Sequence, residues 1–498
     1  MADYILAIDQ GTTGTTALLI DAGLTVVGKA NVEFPQHFPK PGWVEHDLNE
    51  IWNSVCKAVG MVLQHAKVNP AAIRAIGITN QRETTCLWHR DSEATPVGKA
   101  IVWQDRRTAP DCVRLKKRKG VEKSVKQKTG LLLDPYFSGT KLAWMLQHYT
   151  KARTLAQSGK IAFGTIESFL VYKMSGRHVT EPTNASRTML MNLTTCQWDS
   201  DLLKLFKIPK TILPDIYPSA VEYGKTKGMA FLPDGIPIAG LVGDQQAALF
   251  GQACFKPGMA KATYGTGAFV LANIGAKPIY SKHKLLTSVA WKIGEKPTYC
   301  IEGSAFIAGA AVQWLRDQLQ IIKRSGDVEA LAREVGSSEG VLFVPALSGM
   351  GAPHWLPSAT GLITGMTRGT TRAHIARATL EGVAFQIREL LEAMGKDLKK
   401  RIKPLKVDGG ASLNDLLMQF QSDLLGVDVV RAQVAETTAL GSALMAGLAI
   451  GMWSGLGEIE KKWKSDKRFA PKMDGATRKV RIQQWDRAMQ AVKLLSES

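Results

Sequence analysis

The sequence predicts an α/β protein of two related lobes with a cleft between them. Three observations carry this. An apolar strand, Tyr4-Ile5-Leu6-Ala7-Ile8, runs into Asp9-Gln10-Gly11-Thr12-Thr13-Gly14. About 250 residues later, Ala262-Thr263-Tyr264 runs into Gly265-Thr266-Gly267. No low-complexity linker separates the halves, so the boundary between 1–252 and 253–498 is expected inside one body. A strand ending in a Gly/Thr turn gathers backbone N–H groups and hydroxyls at one point, as nucleotide phosphates require. One such turn is common by chance; two suggest related halves gripping one nucleotide.

The elements follow in order. Tyr4–Asp9, Thr16–Asp21 and Thr25–Val32 read as an antiparallel meander. Leu48–His65 has helical spacing of Ile51, Val55, Ala58, Val59 and Val62. Ile73–Thr79 is a buried strand ending in the polar cluster Asn80-Gln81-Arg82-Glu83-Thr84-Thr85. A helix over Gly139–Tyr149 and a strand or loop over Ala162–Glu167 come next. Ile236–Val242 is a strand that stops at Gly243-Asp244-Gln245-Gln246, with a helix starting over Ala247–Gln252. The second half restarts with a strand and turn at Met259–Asn273, then a helix at Phe306–Leu319. A strand at Leu405–Val407 leads into Asp408-Gly409-Gly410-Ala411 and a helix at Asn414–Leu425. The last helix, Lys479–Leu495, puts Ile482, Trp485, Met489 and Val492 on one stripe.

Composition is that of an ordinary globular chain: of 498 residues, 45% are apolar and 21% charged. No apolar run reaches the roughly 18 residues needed to span a bilayer. Met1-Ala2-Asp3-Tyr4 has no basic leader character, and Ser496-Glu497-Ser498 is no targeting signal. Six scattered cysteines without a C-x-x-C pair read as reduced thiols of a cytoplasmic protein. The net charge of +19 concentrates in Arg114–Lys128, Lys396–Lys406 and Lys461–Lys479. These runs lack interleaved aromatics or a nucleic-acid module, so they read as solvated helix faces and loops, with no nucleic-acid partner expected.

The chain has no G-x-x-x-x-G-K-[ST] loop, protein-kinase signature set, zinc spacing or G-x-S-x-G elbow. Asp244, between a buried strand and a helix, is placed either for proton abstraction or for helix capping. Arg82 and Glu83 can donate to and accept from the hydroxyls of a small polyol, or form a plain surface ion pair. Tyr136 adds a hydroxyl, and Trp103 and Phe269 could wall a carbon backbone. Asp408-Gly409-Gly410-Ala411 lets backbone approach a ligand closely, an adenosine site or an ordinary turn.

Together these residues resemble the FGGY carbohydrate kinases over residues 4 to about 450. The resemblance rests on Pro39–Asp47, Gly77–Thr85, Asp134–Lys141, Thr183–Met189, Gly243–Gly251 and Asp408–Ala411. It implies two duplicated actin-like ATPase (ribonuclease H-like) domains with an intervening cleft. It also implies transfer of the ATP γ-phosphoryl group to a terminal hydroxyl of glycerol. On matching positions Arg82, Glu83, Tyr136, Asp244 and Gln245 would bind glycerol, with Trp103 and Phe269 against its carbons and Asp244 as general base. Thr12, Thr13, Gly14, Thr266, Gly309, Gln313, Gly410 and Asn414 would meet the nucleotide. Asp9 and Asp244 would place Mg²⁺. Relatives form dimers and tetramers. A kinase of another small polyol or ketose, and a non-catalytic actin-like ATP-binding protein, stay open as alternatives.

Some positions depart from the family pattern. Gly14 and Thr16 stand where the first turn usually reads Ser-x-Arg, which removes one cationic phosphate contact. Glu167-Ser168-Phe169 replaces Asp-Thr-Trp. Leu356 and Thr360 replace an acid and a base together, as a lost ion pair would. Glu222–Val242 contains no histidine, where some bacterial relatives carry a phosphorylatable one, and the Gly/Arg loop that binds fructose 1,6-bisphosphate in others is not recognisable.

Overall fold

Two mixed sheets repeat one topology, seen in a computed structural model that describes residues 3–496. Met1-Ala2 and Glu497-Ser498, read above for targeting signals, lie outside the described residues. The first sheet takes β1 (Tyr4–Gln10), β2 (Gly14–Asp21), β3 (Val26–Glu33), β4 (Ile73–Asn80), β5 (Ala220–Lys225) and β6 (Pro237–Gly243) in the order β5-β6-β4-β1-β2-β3. β1, β2 and β3 form the expected antiparallel meander, and β1, β4 and β6 run parallel. The second sheet takes β7 (Ala260–Tyr264), β8 (Ala268–Gly275), β9 (Leu286–Ile293), β10 (Lys296–Ala305), β11 (Leu405–Asp408), β12 (Val429–Ala432) and β13 (Ser465–Phe469) in the order β9-β10-β8-β7-β11-β12-β13. Again an antiparallel trio, β7-β8-β10, is followed by two parallel strands, β11 and β12, and an antiparallel edge strand. The duplication expected from the paired turns is therefore present in the strand order. Ile5, Leu6, Ala7 and Ile8 are fully buried, as a strand covered on both faces requires.

Helices cover the sheets. α1 (Leu48–Ala66) begins where the Asp47 carboxylate accepts from the Asn49 N–H at 2.7 Å. Its buried stripe is the one its spacing predicts, Ile51, Val55, Ala58, Val59 and Val62. α2 (Asp244–Gly251) follows β6, α3 (Gly309–Asp317) follows β10, and α4 (Arg372–Leu398) packs on the second sheet. α5 (Asp415–Leu425) follows β11, and α7 (Gly475–Ser496) buries Trp485, Met489 and Val492.

Between them in sequence, α6 (Thr437–Ala449) returns to the first lobe and lies on β4, β6 and α2. Glycines make that approach possible. A Cβ on Gly77 of β4 would meet the Ser442 carbonyl at 2.2 Å, and one on Gly441 would meet the Ala247 carbonyl at 1.9 Å.

Some expectations change: the helix expected over Ala247–Gln252 begins already at Asp244, and that expected over Lys479–Leu495 begins at Gly475. Ile161–Gly164 is a strand, but Glu167 belongs to a helix, Ile166–Ser175, whose start the apolar run concealed. The helix expected from Phe306 begins three residues later, because the turn at Ile307-Ala308 packs on the Gly265–Gly267 turn. Lys406, in a run read as solvated, is buried; its Nζ donates to the Gln252 carbonyl at 2.5 Å and sits 3.6 Å from the Trp463 ring.

Candidate active site

The two phosphate-type turns sit at corresponding strand ends, β1 into β2 and β7 into β8. In the first, the Gly11 N–H donates to the Gly14 carbonyl at 2.9 Å, leaving Thr13 exposed at the tip. The Thr12 hydroxyl accepts from Trp103 Nε1 at 3.0 Å, so its own proton stays available. In the second, the Gly265 N–H donates to the Gly267 carbonyl at 2.9 Å, a closure one residue tighter. Gly309 packs on this turn: its N–H donates to the Gly265 carbonyl at 2.9 Å, and a Cβ there would lie 2.7 Å from that oxygen.

Strand register brings the third turn alongside. Thr263 pairs with Asp408, and a Cβ on Gly409, with φ at +86°, would meet the Tyr264 carbonyl at 2.5 Å. Thr266, Gly309 and Gly410 are thereby gathered at the ends of β7 and β11. Gln313 is exposed on α3. Asn414 caps α5 through its Oδ1, which accepts from the Leu417 N–H at 2.8 Å, leaving its amide NH₂ to spare.

The polar cluster after β4 is buried in the interior, which removes the surface ion-pair reading of Arg82 and Glu83. Arg82 lies over Gly243, where a Cβ would come within 2.8 Å of the arginine Cγ. Its Nη1 and Nη2 donate to the Glu302 oxygens at 2.6 and 2.9 Å, Nη1 also to Gln246 Oε1 at 3.1 Å, and Nε lies 3.1 Å from Asp244 Oδ1. Glu83, held at φ +61°, accepts on Oε1 from Arg187 Nε at 2.5 Å. The Tyr136 ring meets Trp103 edge-on at 5.5 Å, and the Arg187 guanidinium lies 5.5 Å from the Tyr136 ring. Phe269 is half-buried on β8, paired with Thr263 and Ser304.

Asp244 opens α2 as its first helical residue. The N-cap is Gly243, whose own N–H donates to Thr183 Oγ1 at 2.7 Å. The capping reading of Asp244 therefore falls away. Its Oδ1 accepts from the Gln245 N–H at 2.6 Å, 27% of the side chain is exposed, and Oδ2 has no protein partner among the described residues. Gln245 Oε1 accepts from Lys261 Nζ at 2.6 Å, which leaves the glutamine NH₂ to act as a donor.

Electrostatics separate the carboxylates. Desolvation raises Asp244 above the ordinary aspartate range despite Arg82 beside it. Desolvation also raises Asp9, with the charges of Asp244 and Glu436 adding to it, to about 8. Burial would raise Glu302 too, but Arg187 and Arg82 outweigh it and pull the group down to about 2. Burial lowers Lys261 to about 8.

Among the described residues no group of three or more His, Cys, Asp or Glu could hold a metal alone. Asp9 beside Asp244 still suits Mg²⁺, which is bound through one or two carboxylates together with substrate phosphates and waters. Oxygen donors and a proton-retaining Asp9 are the chemistry a hard cation relieves.

Four participants escaped sequence reading: Glu302, Arg187, Gln246 and Lys261. Glu302 and Lys261 carried a weak signal, each being a lone charge inside an apolar strand.

Similarity to known proteins identifies the family. The model of the FGGY family of carbohydrate kinases, N-terminal domain, matches residues 4–251, and the C-terminal domain model matches 260–450. A glycerol kinase of Myxococcus xanthus is 55% identical over 98% of this chain and 99% of its own length. One of Bdellovibrio bacteriovorus is 53% identical over 99% and 100%. The crystal structure of Plasmodium falciparum glycerol kinase with ADP superposes with a TM-score of 0.92 at 36% identity, covering 99% of this chain and 98% of that one. With both domain models matched and both turns in place, the chain belongs to the FGGY family of carbohydrate kinases.

Proposed function

We propose that this chain transfers the γ-phosphoryl group of ATP to a terminal hydroxyl of glycerol, giving sn-glycerol 3-phosphate. The observation that carries this reading is Asp244 with a free Oδ2, flanked by Arg82 and Gln245 and freed from capping by Gly243. The near-full-length relatives named glycerol kinase support the acceptor.

Each residue then has a defined task. Asp244 Oδ2 takes the proton of the attacking hydroxyl as its oxygen bonds to the γ-phosphorus and ADP leaves in line. Arg82 and the Gln245 NH₂ donate to glycerol hydroxyls, Glu83 Oε2 accepts from one, and the Tyr136 hydroxyl lies in the same wall. Trp103 and Phe269 flank the carbons. Thr12, Thr13 and Gly14 from one turn and Thr266 from the other meet the phosphates. Gly309, Gln313, Gly410 and Asn414 line the adenosine side. Asp9, with Asp244, would hold the Mg²⁺ of MgATP, which neutralises charge developing on the phosphates. Closing the lobes excludes water from the phosphoryl group.

On this reading residues 1–252 form the acceptor lobe and 253–498 the nucleotide lobe, and the enzyme is a cytoplasmic homodimer or homotetramer. No helix among the described residues is long and apolar enough to cross a membrane.

The test is ADP release from MgATP with and without glycerol, beside Asp244→Asn. Glycerol-dependent turnover of roughly 1–100 s⁻¹, abolished in the variant, is expected. Turnover that survives in Asp244→Asn removes the general-base assignment. Turnover with other polyols but not glycerol removes the acceptor.

A further inference from the structure

Arg82 and Arg187 both belong to the acceptor lobe, yet the carboxylate that orients them does not. Glu302 stands on β10 of the second sheet, buried, with its oxygens on Arg82 Nη1 and Nη2 at 2.6 and 2.9 Å and on Arg187 Nη2 at 3.3 Å. A guanidinium has five N–H donors fixed in one plane, so an inventory is possible. Arg82 Nη1 gives one N–H to Glu302 and one to Gln246; Nη2 gives one to Glu302; Nε faces Asp244. One N–H, on Nη2, remains for a ligand.

Glu83 is partitioned the same way. Arg187 Nε occupies its Oε1 at 2.5 Å, and Oε2 has no protein partner among the described residues. Arg187 can hold that position because its other nitrogens are tied to Glu302 and, at 3.2 Å, to Ser288 Oγ. The acceptor site thus offers one donor from Arg82 and one acceptor from Glu83. Both are set by a carboxylate on the opposite sheet.

We propose that Glu302 is a positioning residue of the acceptor site: by holding Arg82 and Arg187 from across the lobe boundary, it decides which N–H and which carboxylate oxygen meet the polyol. The inference deepens the glycerol reading and rests on it. It also makes the nucleotide lobe part of the acceptor site, because β10 pairs with β8, the strand that leaves the second phosphate turn and carries Phe269. The register places Ser304 opposite Phe269 and Glu302 opposite Leu271, so Glu302 is built on the same strand pair as the turn.

The experiment measures glycerol KM, ATP KM, kcat and melting temperature for wild type, Glu302→Gln and Glu302→Asp. Glu302→Gln keeps the shape but loses the charge-assisted fork, and misaligning a hydrogen bond from a charged group costs up to about 100-fold in binding. Glycerol KM should rise by about that factor while ATP KM stays within about threefold. Glu302→Asp keeps the charge but withdraws it by one methylene. Glu302→Gln should melt below wild type; Glu302→Asp should regain that loss while its glycerol KM stays raised at least about tenfold. A glycerol KM that follows the melting temperature back to the wild-type value means Glu302 is only structural and overturns the proposal.

If Glu302→Gln fails to fold, the paired change Arg187→Met/Glu302→Gln removes one charge of each sign. It should still show the raised glycerol KM, and an unchanged value overturns the proposal. Wild type without glycerol-dependent turnover refutes the glycerol reading instead, and the inference with it.

Discussion

Replacing Gly441 by alanine should slow phosphoryl transfer without touching a single ligand-facing group. Gly441 lies on α6 where it crosses α2, and the new Cβ would sit 1.9 Å from the Ala247 carbonyl oxygen and 2.6 Å from its carbon. Both obstacles are backbone, so no side-chain rotation relieves them. Separation to the 3.0 Å below which real Cβ contacts essentially never fall requires about 1.1 Å of movement between the two helices. α6 is pinned on its other side by Gly77 and Gly240, whose sites admit no Cβ beside Ser442 and Ala446, so α2 must give way. α2 begins with Asp244, and displacing a catalytic group by about 1 Å costs on the order of 100-fold in rate. Overpacking of this kind also costs about 1–3 kcal/mol of stability. The assay is kcat with saturating glycerol and MgATP, with a thermal melt on the same preparation. Gly60→Ala in α1 is the control. Nothing lies within 4 Å of its Cβ position, so it should gain roughly 0.5–1 kcal/mol and keep full activity. A Gly441→Ala protein with kcat within threefold of wild type would refute the idea that this helix crossing fixes Asp244.

Two further predictions concern protons. Burial, reinforced by His37, lowers His46 to about 3, so between there and its ordinary 6.5 the unfolded chain binds a proton that the folded chain refuses. Stability from this group is complete above pH 6.5 and lost as pH falls through that window, by on the order of 1.4 kcal/mol per pH unit. Urea unfolding of wild type and His46→Gln from pH 6.5 to 4.5 should show a shallower slope in the variant, and parallel slopes would disprove the assignment. Asp9, raised to about 8, keeps its proton at pH 7, and binding of MgATP should expel close to one proton. Titration calorimetry in two buffers of different ionisation enthalpy reads that release. Asp9→Asn should abolish it and raise the Mg²⁺ needed for turnover at least about tenfold, and an unaltered release would place the proton elsewhere.

The parts that were legible in the sequence are those written in consecutive residues. A strand followed by Gly11-Thr12-Thr13-Gly14 or Gly265-Thr266-Gly267 is a local device, and its repetition disclosed the doubled sheet. Asp244 was legible as a group at a strand–helix junction. Its freedom from capping was not, because that depends on Gly243 taking the N-cap position. Arg82 and Glu83 are legible as a donor and an acceptor for a small polyol, but their burial is not, since Glu302 and Arg187 reach them from 220 and 104 residues away in sequence. Lys261 was missed for the same reason: a lysine in an apolar strand has meaning only when Gln245 is found against it. The helix Thr437–Ala449 is absent from the sequence reading; its residues are buried nearly all round, a pattern that marks burial but not beneath which sheet.

α6 also sets the order in which the chain can mature on the ribosome. The first sheet's strands are complete once Gly243 has been made, but Ile5, Ala7, Leu18, Ala239 and Val242 share a core with Leu440, Ala443, Leu444 and Met445. Roughly 200 residues of nascent chain therefore separate the making of an apolar surface from the making of its cover. During that interval the apolar residues of the N-terminal half that α6 covers lack that cover, leaving the kind of surface that aggregates or recruits chaperones. A fragment ending near residue 252 would keep that surface uncovered permanently. The two halves, though drawn from one repeated plan, are therefore made to be inherited, expressed and folded as a single piece.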